Sequence, residues 1–544
     1  MLPERPFFRR HAPFLAAAAV WSVIFAVTLA GVWGIGGMLV YASDDVYIHM
    51  AIAKNLVLHG VWGVTPFGFT SCASSILWPL LIAFTYRIVG VNLWSPLLLS
   101  LASSFAVLIV LYRGMRARGR GDRTIAAGLI IFTLIVPFVA ITFDGMEHVL
   151  QILIFLLFAE RLLAVLSDEP PARIDGVLLA LSAAITLIRY EGLFLAGAAA
   201  LLLAYRRRWL LAAGVIAGAA LPILAMGAVS MAQGWFPIPN SVLIKSAPFT
   251  DILPEGPAQI ITRPFRYLSG RDYILGLAVL TLASWLLAAR FGEKENLFPR
   301  LAPGVFFLLI AFAHGTLINM EWFYRHAAYL LALGLWSLEA AAPRGGWPLR
   351  VPAGGAARAA TAAGACLIAL PLVARAGSAL LHTPPAARNI YEMQYQMAHF
   401  LNRYYPTDPV AANDIGAVSF YNEFPLLDLY GLASMEVARA KLEGTYDTDT
   451  IRRLVRESGA PVAVVYDYWF TRYGGLPAEW VKVAEWHFTD CYVCGGDTVS
   501  FYAADGSGAV LLRARLAEFA GALPARVRYV PIAEPRTGED GDDG

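Results

Sequence analysis

The chain has 544 residues, 58% of them hydrophobic and only 15% charged, with a mean hydropathy of +0.58. That balance excludes an ordinary soluble globular protein. The net charge of +2 points to no partner by itself; its distribution along the chain is the informative quantity.

Apolar runs near or above bilayer-crossing length recur over roughly the first 380 residues, as in a multi-pass membrane protein. The first run, 13–40, is too long for the apolar core of a cleavable signal and reads as an anchor. Further helices are expected near 94–112, 124–141, 149–166, 174–188, 192–205, 208–231, 273–289, 301–318, 326–341 and 358–381. The segments 174–188 and 192–205 are short and read as a helical hairpin tipped by "RYEG" (189–192). Basic clusters mark cytoplasmic loops. Placing Arg9-Arg10, "RGMRARGRGDR" (113–123), "RRR" (206–208) and the weaker clusters at 290–300 and 344–350 inside gives eleven crossings. The N-terminus is then cytoplasmic and everything after 382 extracytoplasmic. By parity "SILWPLLIAFTYRIVG" (75–90) does not cross and reads as an interfacial helix.

This path puts the polar motifs on the outer side: Asp44-Asp45, "FDGMEH" (143–148), "RYEG", "GWFPIPNSVLIK" (234–245) and "MEWFYRH" (320–326). Charge at such depth normally faces a protein interior or an aqueous cavity, so these loops are expected to line one outer chamber. Beyond 382 the composition changes. Strands are expected at 409–414, 425–429, 460–468, 481–488 and 498–504, with helices at 386–404, 449–458 and 510–523. Such alternation predicts a small α/β domain with a mainly parallel sheet. The domain plan is thus 1–381 membrane, 382–530 extracytoplasmic, and an acidic, disordered tail over 531–544. No internal repeat stands out.

Four cysteines are too few for a disulfide framework. Cys491 and Cys494 lack the second ligand pair a zinc site takes, leaving a local disulfide or free thiols.

Asp44 and Asp45 carry the sharpest chemical signal. Consecutive helical residues point about 100° apart, so one acid can face a reacting hydroxyl while the other holds a backbone or a cation. Helix capping accounts for the pair equally simply. Arg189 and Glu191 are either an anion fork with its partner or a local pair closing a turn. Asp144, Glu147 and His148 precede a helix, where acids also serve as caps. Asn240 and Lys245 follow two prolines and can address a polar ligand. Glu321, Trp322, Tyr324, Arg325 and His326 form an aromatic and cationic run, although aromatic belts occur at every membrane interface. Asp414 and Asp428 lie at expected strand ends, where backbone hydrogen bonding is their ordinary role. No metal-ligand spacing stands out, while acid-lined loops leave room for a divalent cation.

Together these motifs resemble the GT-C superfamily of integral-membrane glycosyltransferases, closest to the bacterial branch that contains the terminal arabinofuranosyltransferases. The carrying stretches are "DDVYIHMAIAKNLVLHG…FGFTS…LWPLLIA", "GMEH", "RYEG", "PIPNSVLIKS", "YRHAAYLL" and "NDIGAVSFYN…LLDLYGL". "RYEG" stands where that group often has R-P-E-G, and "SCASSILW" (71–78) is longer than its usual S-P-L-W. The resemblance implies a multi-pass helical domain with an α/β outer domain. It also implies an inverting transfer from a polyprenyl-phosphate sugar, with Asp44, or else Asp45, as general base. Arg189, Lys245, Arg325 and His326 would then hold the donor phosphate. Glu147, His148, Glu191, Asn240, Glu321, Trp322, Asp414 and Asp428 would hold sugar or acceptor, a glycan, lipid or protein. The outer domain would guide the acceptor, and nucleic acid is not an expected partner. A multi-pass transporter of a lipid or polar solute is the rival reading, but transporter sites lie near the midplane and come with repeats. A non-catalytic assembly protein leaves the acid doublet and "RYEG" without a role.

Overall fold

The computed structural model describes residues 7–167, 174–245, 262–263, 271–291, 297–318, 322–343, 355–504 and 507–533. The chain packs into two units, one formed by Met1–Ser43 with Ala73–Pro384 and the other by Asp44–Cys72 with Pro385–Gly544. The segment Asp44–Cys72, assigned by sequence to the membrane domain, therefore packs with the C-terminal residues.

The first unit is helical. Helices Phe7–Trp33, Trp94–Ala117, His148–Ser167, Trp209–Ala232, Leu297–Leu317 and the one beginning at Gly355 include six long, apolar candidate spans. Asp122–Ile135 and Phe138–Asp144 form a pair bent by 44°, a seventh if counted as one span. Gly176–Ile188, Gly192–Tyr205, Asp272–Leu286, Ala328–Ala341 and Leu77–Val89 are apolar but shorter. Every segment expected to be helical contains a helix; among the described residues six or seven are long and apolar enough to cross a membrane by length and composition alone, and the shorter apolar helices stand beside them. Large apolar side chains remain exposed on these helices, among them Val23, Val27, Leu221 and Leu224. In water such a surface would be unstable; in lipid it is the required one. The chain is an integral membrane protein.

The first apolar run ends as a helix at Trp33 rather than continuing to 40, because Gly34, Gly36 and Gly37 give a turn there. Residues 39–43 then lie along the helix Phe138–Asp144, with Ala42 N–H donating to Phe143 O at 2.9 Å. Tyr41 fastens this segment by accepting from Leu97 N–H at 3.0 Å.

At the end of the helices marked by basic residues, part of the positive charge is internally neutralised. Arg118 forks onto Glu160 at 2.8–3.0 Å and also meets Glu339. Arg120 reaches Glu339 Oε1 at 2.8 Å and the Ala342 carbonyl at 2.8 Å. Trp336 Nε1 donates to Glu160 at 3.0 Å.

The second unit centres on a six-stranded sheet: β1 (Val410–Ala412), β2 (Leu426–Asp428), β3 (Val462–Val465), β4 (Val481–His487), β5 (Thr498–Ala503) and β6 (Arg528–Pro531), ordered β2-β1-β3-β5-β4-β6. β1 pairs in parallel with β2 and β3, whereas β3–β5, β5–β4 and β4–β6 are antiparallel. The sheet is mixed, not mainly parallel. Helices connect β1 to β2, β2 to β3 and β5 to β6, whereas β4 and β5 are joined without one and pair antiparallel. β1 and β3 are buried at every position, as strands covered on both faces are. One face carries Val437, Ile451, Leu454 and Val455 from helices Met435–Glu443 and Thr448–Ser458. The other carries Phe400 and Phe519 against Trp486 and Phe501, with ring centroids 4.5–6.0 Å apart.

The expected break between helices 358–381 and 386–404 is absent. One helix runs from Gly355 to Ile390, through Pro384 and Pro385, into a π-helical turn at Tyr391–Tyr395 and on to Tyr404. Prolines are tolerated in apolar helices when nearby hydroxyls and packing compensate for lost donors. Thr383 Oγ1 donates to Ala379 O at 2.7 Å in that turn, and Pro384 packs against Gly31.

Replacing Glu160 by Ala leaves Arg118 with Glu339 alone and takes the Glu160 acceptor from Trp336 Nε1. The side chains are about a fifth exposed, so the expected loss is about 1–3 kcal/mol, read as a lower melting temperature in detergent. Trp336→Phe should lose less than half as much.

Candidate functional site

Within the membrane unit, three chain breaks bring charged residues together. The first separates Phe138–Asp144 from His148–Ser167 and carries Glu147 and His148. The second separates Gly176–Ile188 from Gly192–Tyr205 and carries Arg189 and Glu191. Arg189 is extended (φ −159°, ψ 145°), which ends the first helix. Gly192 then allows the chain to turn back, since a Cβ there would strike the Ile185 carbonyl. The third is the turn before Ala328–Ala341, where Phe323 (φ +45°) and Tyr324 (φ +62°) adopt left-handed backbone. That conformation is strained for bulky side chains. It is held by Trp322 N–H donating to His326 Nδ1 (3.1 Å) and Arg375 Nη2 donating to Tyr324 O (2.7 Å).

Arg189 forks onto Glu191, with Nε–Oε2 at 3.0 Å and Nη2–Oε1 at 2.7 Å. Its Nη1 donates to Glu147 Oε1 at 2.8 Å and to Ser74 Oγ at 3.3 Å. Of five guanidinium N–H groups, these bonds leave one on Nη2. Arg325 Nη1 donates to Ser43 Oγ at 2.6 Å and to Asp144 Oδ1 at 3.1 Å, and both ionic side chains are buried. His148 Nδ1 lies 3.1 Å from Gln151 Oε1, while its buried Nε2 has no hydrogen-bond partner among the described residues. The His148 and His326 rings meet edge to face at 5.8 Å. Burial first, and then the charges of Arg325, Arg189, His148 and Lys245, push His326 well below its ordinary pKa. It stays neutral near pH 7.

In the second unit, Asp44 sits at the N-cap position of helix Asp45–His59, but its side chain makes no bond to that helix. Its carboxylate instead accepts Gly416 N–H at 2.6 Å and Ala417 N–H at 2.8 Å, at the start of helix Gly416–Tyr421. Only glycine fits at 416, because a Cβ would strike Asp44. Asp414 lies beside Asp44 and accepts from Gln394 Nε2 at 2.7 Å and from Tyr466 Oη at 3.3 Å. Burial and then the Asp414 charge raise Asp44 well above the usual carboxylate pKa, although the two amides oppose the shift.

Comparison with known proteins turns on the fold. A domain of unknown function (DUF8728) matches residues 388–502. No curated protein matches the sequence. The crystal structure of ArnT from Cupriavidus metallidurans bound to undecaprenyl phosphate aligns at 15% identity and a TM-score of 0.51. The alignment covers 92% of this chain and 99% of that one. The chain shares the fold of that structure. The archaeal oligosaccharyltransferase AglB from Archaeoglobus fulgidus, in complex with an inhibitory peptide and a dolichol-phosphate, is also similar. It shares 11% identity over 97% of this chain and 77% of that one, with a TM-score of 0.48. Arabinofuranosyltransferase AftD from Mycobacteria shares 16% identity over 89% of this chain and 41% of that one, with a TM-score of 0.37.

On this fold the residues singled out by sequence divide into two groups. Glu147, His148, Arg189, Glu191, Arg325 and His326 cluster in the membrane unit, and Lys245 is close enough for its charge to act on His326. Asn240 is buried at the start of helix Asn240–Lys245. Trp322 is exposed, and Glu321 lies outside the described residues. Asp44, Asp45, Asp414 and Asp428 belong to the second unit. Asp428 is buried and accepts Tyr430 N–H and Ala433 N–H, both at 2.7 Å, which shapes the loop after β2. Sequence reasoning gave no role to Ser43, Ser74, Gln151, Gln394 or Tyr466. Single hydroxyls and amides carry no pattern of their own, although Ser43 adjoins the acid doublet. Cys491 and Cys494 form a disulfide. No cluster of three or more His, Cys, Asp or Glu among the described residues could hold a metal ion. Asp144, Glu147 and Glu191 each pair with a guanidinium.

Asp144→Asn should cost more stability than Glu191→Gln. Arg325 loses the fully buried Asp144 carboxylate, about 3–5 kcal/mol, whereas Arg189 keeps Glu147. Thermal unfolding of both variants in detergent tests the order. Gly416→Ala should likewise lower stability by about 1–3 kcal/mol.

Proposed function

We propose that the chain is an inverting glycosyltransferase that takes a sugar from a polyprenyl-phosphate donor to a cell-envelope glycan, lipid or protein acceptor. The reading places it in a bacterial plasma membrane with the N-terminus inside and the C-terminal unit outside. The supporting observation is the buried group Arg189, Arg325, His148 and His326, with an unpartnered imidazole nitrogen, on a fold shared with a protein that binds undecaprenyl phosphate.

In this mechanism the leaving phosphate gains negative charge as the glycosidic bond breaks. Donors already fixed in place stabilise that change more than they stabilise the bound donor. Arg189 and Arg325 are fixed by their carboxylates; Glu147, Glu191 and Asp144 therefore position the cations. The remaining Nη2 N–H of Arg189 and the charges of Arg325 and Lys245 are assigned to the phosphate, while His148 Nε2, whose ring faces the Gln151 oxygen through Nδ1, is left as an acceptor for a sugar hydroxyl. Asp44 is assigned the proton of the acceptor hydroxyl, whose oxygen attacks the anomeric carbon opposite the departing phosphate. Its carboxylate is held by two amides, and lone pairs remain on both oxygens to accept that hydroxyl. Its raised proton affinity suits a base better than an ordinary carboxylate does. Asp45, on the next face of the helix, is the runner-up.

Reconstituted protein with a lipid extract should convert a polyprenyl-phosphate sugar to free polyprenyl phosphate, read by mass spectrometry. Asp44→Asn should lower kcat by about 10²–10⁴-fold, and Arg325→Gln by about 10²-fold, with circular dichroism unchanged. Full turnover by Asp44→Asn would remove the base assignment; no conversion of any lipid-phosphate sugar by wild type would remove the donor class. The base must be ionised, so the rate should fall as pH is lowered through the raised Asp44 pKa, above the usual carboxylate range. Stability runs the other way: a carboxyl whose folded pKa exceeds its unfolded value contributes most below the unfolded value, and that contribution is lost as pH rises to the folded one.

A further inference from the structure

The loops at the carboxyl ends of the parallel strands contain an aromatic strip that the reaction above does not use. After β2 comes Tyr430; after β3 come Tyr466, Asp467, Tyr468 and Trp469. The Tyr430 and Trp469 rings meet at 4.9 Å and those of Trp469 and Tyr468 at 6.4 Å. Tyr468 is 59% exposed; Tyr430 and Trp469 are half-buried. Lys441 supports the inner end, with Nζ 4.3 Å from the Tyr430 ring centroid and 2.8 Å from its carbonyl. Asp428 folds the loop that presents Tyr430.

The disulfide loop fixes the outer end. Tyr468 Oη and Trp469 Nε1 both donate to Gly495 O, the latter at 2.7 Å. Gly495 follows the Cys491–Cys494 disulfide directly. The same loop is joined to helix residue Asn389, which accepts Tyr492 N–H at 2.8 Å and donates to Asp490 O at 3.1 Å. Two large rings thus have their polar ends bound internally, leaving ring surface rather than hydrogen-bonding capacity for a ligand.

Position adds a second argument. β1 has β2 on one side and β3 on the other, so the chain reverses its direction of winding beside β1. Ligands of parallel sheets bind at such a point, outside the carboxyl ends. The loop after β1 holds Asp414 and Gly416, which meet Asp44, and the Asp45 charge acts on Tyr430. The strip is therefore continuous with the acid doublet inside one unit.

We infer that Tyr430, Trp469 and Tyr468 form a carbohydrate-binding strip for the acceptor, fastened by Gly495 of the disulfide loop. The apolar C–H face of a sugar ring carries weakly positive hydrogens, which suit the negative face of an aromatic ring. An acceptor so held brings successive residues of one glycan chain along the strip towards Asp45 and Asp44. The inference rests on the transferase reading and names its acceptor as a glycan rather than a lipid or protein. Cys491, Cys494 and Gly495 act through the rings, as positioning residues.

The full chain in detergent is titrated with two hexasaccharides, one arabinofuranosyl and one glucopyranosyl, and binding is read by saturation-transfer NMR on the sugar C–H protons. At least one should bind wild type. Tyr468→Ala should weaken it by about five- to tenfold, and Tyr468→Phe, which keeps the ring, by less. The Cys491→Ser, Cys494→Ser double variant should weaken it too, and reduction of wild type should reproduce that loss. In the turnover assay Tyr468→Ala should raise the acceptor KM by a similar factor with kcat within about twofold. Failure of both sugars to bind wild type, or binding indifferent to Tyr468→Ala, overturns the strip. Turnover that persists in Tyr468→Ala with an unchanged acceptor KM overturns the strip and leaves the transferase reading intact. Sugar binding without any lipid-phosphate turnover overturns that reading instead.

Discussion

A guanidinium buried at the end of an apolar helix must have a carboxylate, and this requirement organises the membrane unit. Removing a charge from water costs several kcal/mol after relaxation, so Arg189 and Arg325 are each placed against acids from other breaks in the helices. Glu147 and Glu191 orient Arg189, and Asp144 orients Arg325. The pairs cross-link three loops that are far apart in sequence. They also fix the cations before any ligand arrives, which is the condition for electrostatic stabilisation of a developing charge. The same rule operates among Arg118, Arg120, Glu160 and Glu339. There basic residues that indicate topology also hold the helices together.

The second unit solves a different problem. Asp44 is held by backbone amides rather than by a cation, and its neighbour is another acid. Amides fix its direction without adding a full positive charge, while Asp414 keeps its proton affinity high. An arginine at the same place would fix the direction equally well and lower that affinity. Anchoring by amides and a raised proton affinity are thus compatible at Asp44, whose side chain caps helix Gly416–Tyr421 and not the helix it precedes. Tyr466, which donates to Asp414, also packs beside Trp469. Acid pair and aromatic strip therefore share a wall.

Much of this was legible from the residues. The helices follow from apolar runs, and five of the six strands from short apolar stretches bounded by turn residues. The charged motifs were visible because charge among apolar residues is conspicuous. β6 escaped notice because Arg528–Pro531 is an exposed edge strand with little apolar content. Helix Gly416–Tyr421 escaped notice because six residues give no periodicity to read. The helix through Pro384 and Pro385 looked like two, since proline normally ends a helix in water, and its continuation depends on packing that a local pattern does not contain.

The sequence by itself determined that the chain enters a membrane, that charged loops interrupt its helices, and that a strand-and-helix region follows, because hydropathy and its period are local properties. Only the tertiary structure decided which acid meets which arginine. It also decided that the first loop packs with the C-terminal region, and that the sheet is mixed. Each of these is a choice among partners distant along the chain. Many pairings satisfy the same charges and the same apolar runs, and packing in three dimensions selects one.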